Sequence, residues 1–469
     1  MPPAVFLAPR RLAAAALLLA AAPSLAACGS LNDALGASSG YVSHQLCSAV
    51  FVSGQDPDAY YRDALKPSAG PVAPLIRHTL DRQARSVTTT TAGGHARTAV
   101  FHPGLGCRLD LPGDAPAPAV DLPAPAPALL PPIAGPAVVE PADPALKAAL
   151  DHAFAETAKG PRRATKAVVV LQDGRVIAER YAPGFGVDTP IHGWSMTKSV
   201  TNALLGVLVR QGRIRMDQPL APAAWSRPGD PRRAITLDNL ERMASGLDIG
   251  QSMTNTLAVA FDPTTHMVFD TADMAGFAEK APLKDPPGSK WIYTNGNIML
   301  LSRLIRDEAG GDAPATLRFA HRELFDKLGM KHVTLEFDAA GTPIGASHMW
   351  ASARDWARFG QLYLQDGVVG GEHILPAGWV DYSARPTPGS EAFGYGAGFW
   401  TNRGDGQAAR MRVAAGLPAD SFMARGSQGQ YVLVIPSRRM VIVRMGMAFN
   451  DRDDIAGLER LTREVLAVR

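Results

Sequence analysis

One serine in this chain stands three residues before a lysine, in His192-Gly193-Trp194-Ser195-Met196-Thr197-Lys198-Ser199-Val200. On a helix, residues three apart share a face, so Lys198 would lie one turn above Ser195. A serine hydroxyl is a weak nucleophile until a base removes its proton. A lysine held in a dry setting can lose enough basicity to act as that base. The following stretch, Val200 to Val209, is largely apolar and includes Ala203 and Gly206. That composition describes a helix buried on most sides, which is the dry setting required. Ser195 at the helix start would also meet backbone N–H groups able to stabilise developing negative charge. The spacing alone is a weak signal, since an exposed lysine on any helical turn has it too.

A second group of residues carries complementary chemistry. Pro287-Gly288-Ser289-Lys290-Trp291-Ile292-Tyr293-Thr294-Asn295 reads as a turn feeding a short extended segment. Tyr293 and Asn295, two residues apart, would then point the same way. A phenol can relay a proton between serine, lysine and leaving group. An amide can hold the lysine or a substrate carbonyl. Taken singly, a core tyrosine beside a turn asparagine would explain this segment equally well.

Together these elements resemble the first two motifs of penicillin-recognising serine enzymes. Two further segments, Leu237 to Leu247 (LDNLERMASGL) and Ala353 to Gly360 (ARDWARFG), resemble recurrent stretches of class C β-lactamases and their esterase relatives. The resemblance runs from about Thr165 to the C-terminus and leaves out residues 29–145. It implies an α/β, β-lactamase-like fold, with an antiparallel sheet flanked by helices and an inserted helical subdomain. It also implies that Ser195 is acylated and deacylated, with Lys198 as general base, Tyr293 as proton relay and Asn295 orienting groups. No cofactor is implied, and the partner is a small ester or amide substrate.

The third motif departs from the β-lactamase pattern. Those enzymes place Lys-Thr-Gly on a strand edge, whereas the last lysine here is Lys331 and the last histidine is His373. The corresponding segment is Ala424-Arg425-Gly426-Ser427-Gln428-Gly429-Gln430, which is similar to the version in 6-aminohexanoate-dimer hydrolases and related esterases. The resemblance then places an oxyanion hole at the backbone N–H groups of Ser195 and Ser427. Gly426 would permit close approach, Gln428 would contact substrate, and strand alternation would point Arg425 away. An ester or small-amide hydrolase is the expected activity. A β-lactamase or D-alanyl-D-alanine peptidase is the alternative, weakened by the missing cation. A penicillin-sensor or peptidoglycan-binding lipoprotein without turnover is another.

The positioning elements follow. Val168 to Leu171 and Val176 to Ala178 flank Asp173-Gly174, a strong hairpin signal. A helix is expected from near Leu146, mostly helix from 195 to 330, and a capped helix from Ser352 to Leu364. Strands are expected at Gly396 to Phe399, Tyr431 to Ile435 and Val441 to Met445, then a final helix from Asp454 to Val468. Pro112 to Pro144 is dense in Pro and Ala and reads as an extended linker or surface strap. Before it, Cys47 to Val52 reads as a strand or buried turn, and Ser86 to Val100 as a hairpin around Gly93-Gly94. The expected organisation is therefore 1–27 signal peptide, 28–111 small N-terminal accessory region, 112–144 linker and 145–469 hydrolase domain.

Composition bounds the remainder. The chain has 469 residues, 46% hydrophobic and 19% charged, with a net charge of +3. These values fit a globular protein with a large core and carry no nucleic-acid footprint. Arg10 and Arg11 precede an apolar run, Leu12 to Ala22, too short to anchor permanently in a bilayer. It ends in Leu25-Ala26-Ala27-Cys28, which resembles a bacterial lipobox and implies lipidation of Cys28 after cleavage before it. Gly29 follows, which by analogy favours the outer membrane, facing the periplasm. Cys47 and Cys107 remain as a natural disulfide of an exported protein. His152, His192, His266 and His348 lack metal-ligand spacing, and no metal is expected.

Overall fold

The computed structural model describes residues 10–92, 95–157, 162–252, 257–449 and 453–468, with side chains from Leu31 onward. The chain opens with a long helix, α1 (Arg10–Phe51). Cys47 to Phe51 are its last residues, not a strand. A short apolar run with both sides buried has no periodicity to separate the two states. Four antiparallel strands follow: β1 (Ile76–Asp81), β2 (Ser86–Thr91), β3 (His95–His102) and β4 (Gly106–Asp110). The Gly93-Gly94 turn between β2 and β3 lies outside the described residues. α1 packs across β2 and β3, and a disulfide joins Cys47 on α1 to Cys107 on β4.

The main sheet begins with β5 (Thr165–Gln172) and β6 (Arg175–Tyr181), joined by Asp173 and Gly174 at φ 51° and 79°. Both positive values match the two-residue hairpin turn that Asp-Gly favours. A smaller three-stranded sheet is made by β7 (Ile191–His192), β8 (Val333–Leu335) and β9 (Met349–Ala351). A two-stranded ribbon, β10 (Val368–Val369) and β11 (Glu372–His373), precedes β12 (Trp400–Thr401). Then come β13 (Phe422–Gly426), β14 (Gln430–Ile435) and β15 (Met440–Gly446). The six-stranded antiparallel order is β12-β13-β14-β15-β5-β6, so both ends of the hydrolase region complete one sheet. The expected strand at Gly396 to Phe399 is instead an irregular turn, with Gly398 at φ 69° and only Trp400 and Thr401 paired to β13.

β14 and β15 are buried along their whole length. The helix Ala353–Leu364, capped by Ser352, covers one face. Gly360 allows that close approach, because a Cβ there would come within 2.6 Å of Val441. Pro144–Phe154 and Ile455–Val468 pack together on the other side. The Pro/Ala-rich segment lies along the edge strand β6, with Val176 N–H donating to Ile133 O at 2.9 Å and Glu179 N–H to Val139 O at 3.0 Å. Covering an edge in this way removes a row of unpaired backbone groups. Arg354 clasps the strap, donating to the carbonyls of Gly135 and Ala137 and pairing with Glu179. The helical insert, including Pro263–Phe269 and Asn295–Ala309, sits between β7 and β8 in the chain. Among the described residues, no helix is long and apolar enough to cross a membrane.

Candidate active site

Ser195 is presented by a sharp reversal. β7 ends at His192, and Gly193 lies against Trp356 so closely that a Cβ would sit 2.4 Å from its ring. Trp194 takes φ 49°, a left-handed conformation that costs a non-glycine residue about 1 kcal/mol or more. Thr197 Oγ1 donates to Trp194 O at 2.7 Å and accepts from Met349 N–H at 3.2 Å, which fixes the turn to β9. Ser195 sits in the 3₁₀ turn Trp194–Met196 that runs straight into the helix Thr197–Arg210. The nucleophile candidate is thus at a helix start, where backbone N–H groups are not consumed by the helix itself.

Lys198 is 1% exposed. Its ammonium donates to Ser195 Oγ at 3.1 Å, Asn295 Oδ1 at 2.7 Å and Ala346 O at 2.7 Å. It also lies 4.9 Å from the centre of the Tyr293 ring. None of these three acceptors is a carboxylate, so burial dominates and brings the Lys198 pKa down to about 7, with buried Glu241 pulling the other way. Tyr293 is buried and bonded to the Ser195 hydroxyl, and burial pushes its phenol well above the usual range. It therefore keeps its proton and can pass one on.

Tyr293 and Asn295 reach the lysine by different routes. Tyr293 belongs to the extended segment, whereas Thr294 caps the helix Asn295–Ala309 and Asn295 is that helix's first residue. Ser252 Oγ accepts from Asn295 N–H at 2.9 Å and holds the amide in place.

The third element is the β13–β14 hairpin. Gly426 ends β13 directly against the turn that presents Ser195, and a Cβ there would be 2.1 Å from Gly193 O. Ser427, Gln428 and Gly429 make the turn, with Gln428 at φ 64°. Ser427 lines the same cavity as Ser195. Gln428 lines it too, but its amide is engaged: Oε1 accepts from Trp194 Nε1 at 3.3 Å and Nε2 donates to Ala64 O at 3.2 Å. It is a tie between the serine's turn and the N-terminal region. Arg425 packs over Trp400 and Tyr431 and reaches Asp453 Oδ2 at 3.3 Å, while Asp453 Oδ1 accepts from Gln428 N–H at 2.9 Å.

These groups open into a cavity of about 540 Å³ whose wall includes Ala37 and Tyr41 of α1. Sequence spacing reveals neither this contribution of the N-terminal region nor the Ala346 carbonyl and Ser252. All of these approach the site only through tertiary packing. Cys28 lies on α1 before the described side chains.

The same packing assembles a buried group that spacing does not reveal. His44, Glu336 and His348 have ligand atoms within 4.8 Å of one another and are the described residues best placed to hold a metal ion. His44 Nε2 already faces Cys107 O at 3.0 Å. Glu336 Oε1 accepts from Ser48 Oγ at 2.6 Å and Cys107 N–H at 2.9 Å. Burial lifts the Glu336 carboxyl to about 8 and lowers His44 to about 4. Both groups are then neutral over part of the pH range, and they form a hydrogen-bonded joint between the N-terminal and hydrolase regions.

Residues 150–467 match the family model described as Beta-lactamase. A curated relative, the 6-aminohexanoate-dimer hydrolase of Paenarthrobacter ureafaciens, is 25% identical over 292 residues, covering 60% of this chain and 72% of that protein. A solved structure from Bacillus anthracis, assigned as a 6-aminohexanoate-dimer hydrolase, superposes with a TM-score of 0.54 at 21% identity, covering 65% of this chain and 79% of that one. A penicillin-binding protein homologue from Caulobacter crescentus gives a TM-score of 0.50 at 16% identity, covering 71% and 100%. These structures share the fold.

Proposed function

Because this chain belongs to the Beta-lactamase family, we propose that it is an exported serine hydrolase that cleaves an ester or small amide through an acyl-enzyme on Ser195. The observation that carries the reading is the Lys198 ammonium 3.1 Å from Ser195 Oγ, with burial bringing its pKa to about 7.

In its neutral form Lys198 accepts the Ser195 proton as Oγ bonds to the substrate carbonyl carbon. The oxyanion so formed is stabilised by the backbone N–H groups of Ser195 and Ser427. Tyr293 hands a proton to the departing alkoxide or amine, drawing on Lys198, and the bond to the leaving group breaks. A water then attacks the acyl-enzyme, gives a proton back through the same pair, and releases the acid with Ser195 Oγ reprotonated. Each role matches a group of suitable ionisation: a lysine that can be neutral and a phenol that stays protonated.

In this reading residues 1–27 are removed on export and Cys28 carries lipid that holds residues 28–469 at the outer membrane, facing the periplasm. The support is the basic, apolar and small-residue succession ending in Leu25-Ala26-Ala27-Cys28. Mass spectrometry of the mature N-terminus, beside Cys28→Ala, tests it. An unmodified cysteine would remove the anchor.

The activity test is release of p-nitrophenol from a short-chain ester by protein lacking residues 1–28, beside Ser195→Ala. Hydrolysis that vanishes in the mutant supports the reading, and equal rates in both sink the role of Ser195. A β-lactamase or D-alanyl-D-alanine peptidase is the weaker variant. Its substrate carboxylate needs a cation, and the described residues lining the cavity include none.

A further inference from the structure

The cavity at Ser195 is lined in part by residues that lie outside the family match. Ala37 and Tyr41 of α1 roof it, and Val268, Phe269 and Phe449 make its flanks. Asp453 is the one charged side chain among the described residues that line it, and both its oxygens are already engaged by Arg425 and Gln428. A carboxylate entering this space would lose water and find no cation among the described residues that line it. An aliphatic chain would gain with each methylene buried. At about 540 Å³ the space exceeds what an acetyl group needs and falls within the range of ligand pockets.

We infer that this cavity is an acyl-binding subsite, roofed by the N-terminal region, that selects neutral esters or amides with a medium-length aliphatic or aromatic acyl group and rejects acyl groups bearing a carboxylate. The inference rests on Ser195 being the acylated residue. It gives the N-terminal region a role in specificity, because Ala37, Ser38, Tyr41 and Val42 of α1 line the cavity beside residues of the hydrolase domain.

The test uses the full chain and p-nitrophenyl esters of acetyl, butyryl, pentanoyl and hexanoyl groups, with the mono-glutarate ester as the charged match for pentanoyl. The expected kcat/KM rises about threefold per methylene to hexanoyl, and the glutarate ester falls at least about tenfold below pentanoyl. Ser38→Phe and, separately, Ala69→Phe place a ring in the cavity from the roof. Each is expected to lower the hexanoyl rate at least about tenfold while the acetyl rate falls by less than about threefold. A flat chain-length profile, a glutarate ester as good as pentanoyl, or equal losses on both esters in both variants would overturn the subsite while leaving the hydrolase standing. Failure of the hydrolase itself reads differently: Ser195→Ala would cleave the acetyl ester as fast as the unmodified chain.

Discussion

Trp194 donates its indole N–H to the Gln428 side-chain carbonyl across 3.3 Å, so the residue before Ser195 is pinned by the tip of the β13–β14 hairpin. The bond adds to the Thr197 ties on a tryptophan in a left-handed backbone conformation. It also couples the two sides of the site, since Ser195 follows Trp194 and Ser427 precedes Gln428. Replacing Gln428 by Ala removes this bond and the one to Ala64 O. The expected outcome is a fall in kcat of about fivefold, from roughly 1 kcal/mol lost with the bond to Trp194, with KM changed less. Steady-state kinetics on one ester check it, and an unchanged kcat would show that Trp194 holds its turn unaided.

Lys198 sets the pH dependence. A base must be unprotonated, so kcat/KM is expected to rise with pH through about 7 and then level off. Lys198→Ala should cost at least about a hundredfold. Lys198→Arg should fare no better, because a guanidinium stays protonated. Glu241 is buried and its own carboxyl is lifted to about 8, so it pulls the lysine's pKa up only to the extent that it ionises. Glu241→Gln is therefore expected to move the inflection to lower pH by less than a full unit, because the carboxyl it removes is mostly protonated near pH 7. An inflection that stays put would show that the two groups do not communicate.

The buried joint at Glu336 makes a stability prediction of definite sign. Burial raises this carboxyl to about 8, so the folded state keeps a proton that the unfolded chain has lost. Its contribution is fully present below the ordinary carboxylate pKa and is lost as pH rises toward about 8. His44, lowered to about 4, acts in the opposite sense: stability is lost as pH falls from the ordinary histidine value toward about 4. Glu336→Gln should flatten the decline on the alkaline side, a difference on the order of a few kcal/mol for a fully buried group. Urea titrations at about pH 5.5 and 8 read it, and parallel slopes in the two proteins would refute it.

The Cys47–Cys107 bridge joins α1 to β4 across a separation of 60 residues. Closing a loop of that size stabilises by about 4 kcal/mol in the chain-entropy view. Reductant is expected to lower the Tm of the unmodified protein and leave that of Cys47→Ser/Cys107→Ser unaffected. The double variant should also lose preference among acyl groups, because the roof of the cavity hangs on α1. Retained preference would detach the disulfide from specificity.

The Ser195–Lys198 pair was legible because its three-residue spacing is followed by an apolar helix, and the two together place a dry lysine over the serine. Tyr293 and Asn295 were legible as a pair through the family resemblance, but their arrangement was not. The capping hydroxyl of Thr294 starts a helix between them, and so Asn295 comes in along the helix axis and not from one extended face. Gln428 was found as a residue of the third motif and read as a substrate contact. Its bond to Ala64 spans 364 residues of sequence, and no local pattern encodes it. The Asp173-Gly174 hairpin and the Ser352 cap were readable because each is settled by its own few residues. Cys47 to Phe51 misled for the converse reason: apolar on every side, they carry no period, and only the sheet beneath α1 shows them to be helical. His44, Glu336 and His348 come from three separate segments, and no spacing rule could bring them together.

α1 runs unbroken from before Cys28 to the roof of the cavity. At 1.5 Å per residue, Cys28 stands roughly 14 Å from Ala37 along the helix. Leu31 and, on the neighbouring segment, Val259 and Phe261 expose apolar side chains at this end. A lipid on Cys28 would then act as a mooring and not as a leash. A stiff rod shorter than a bilayer leaflet is thick would berth the enzyme close to the headgroups, without the play of a flexible tether.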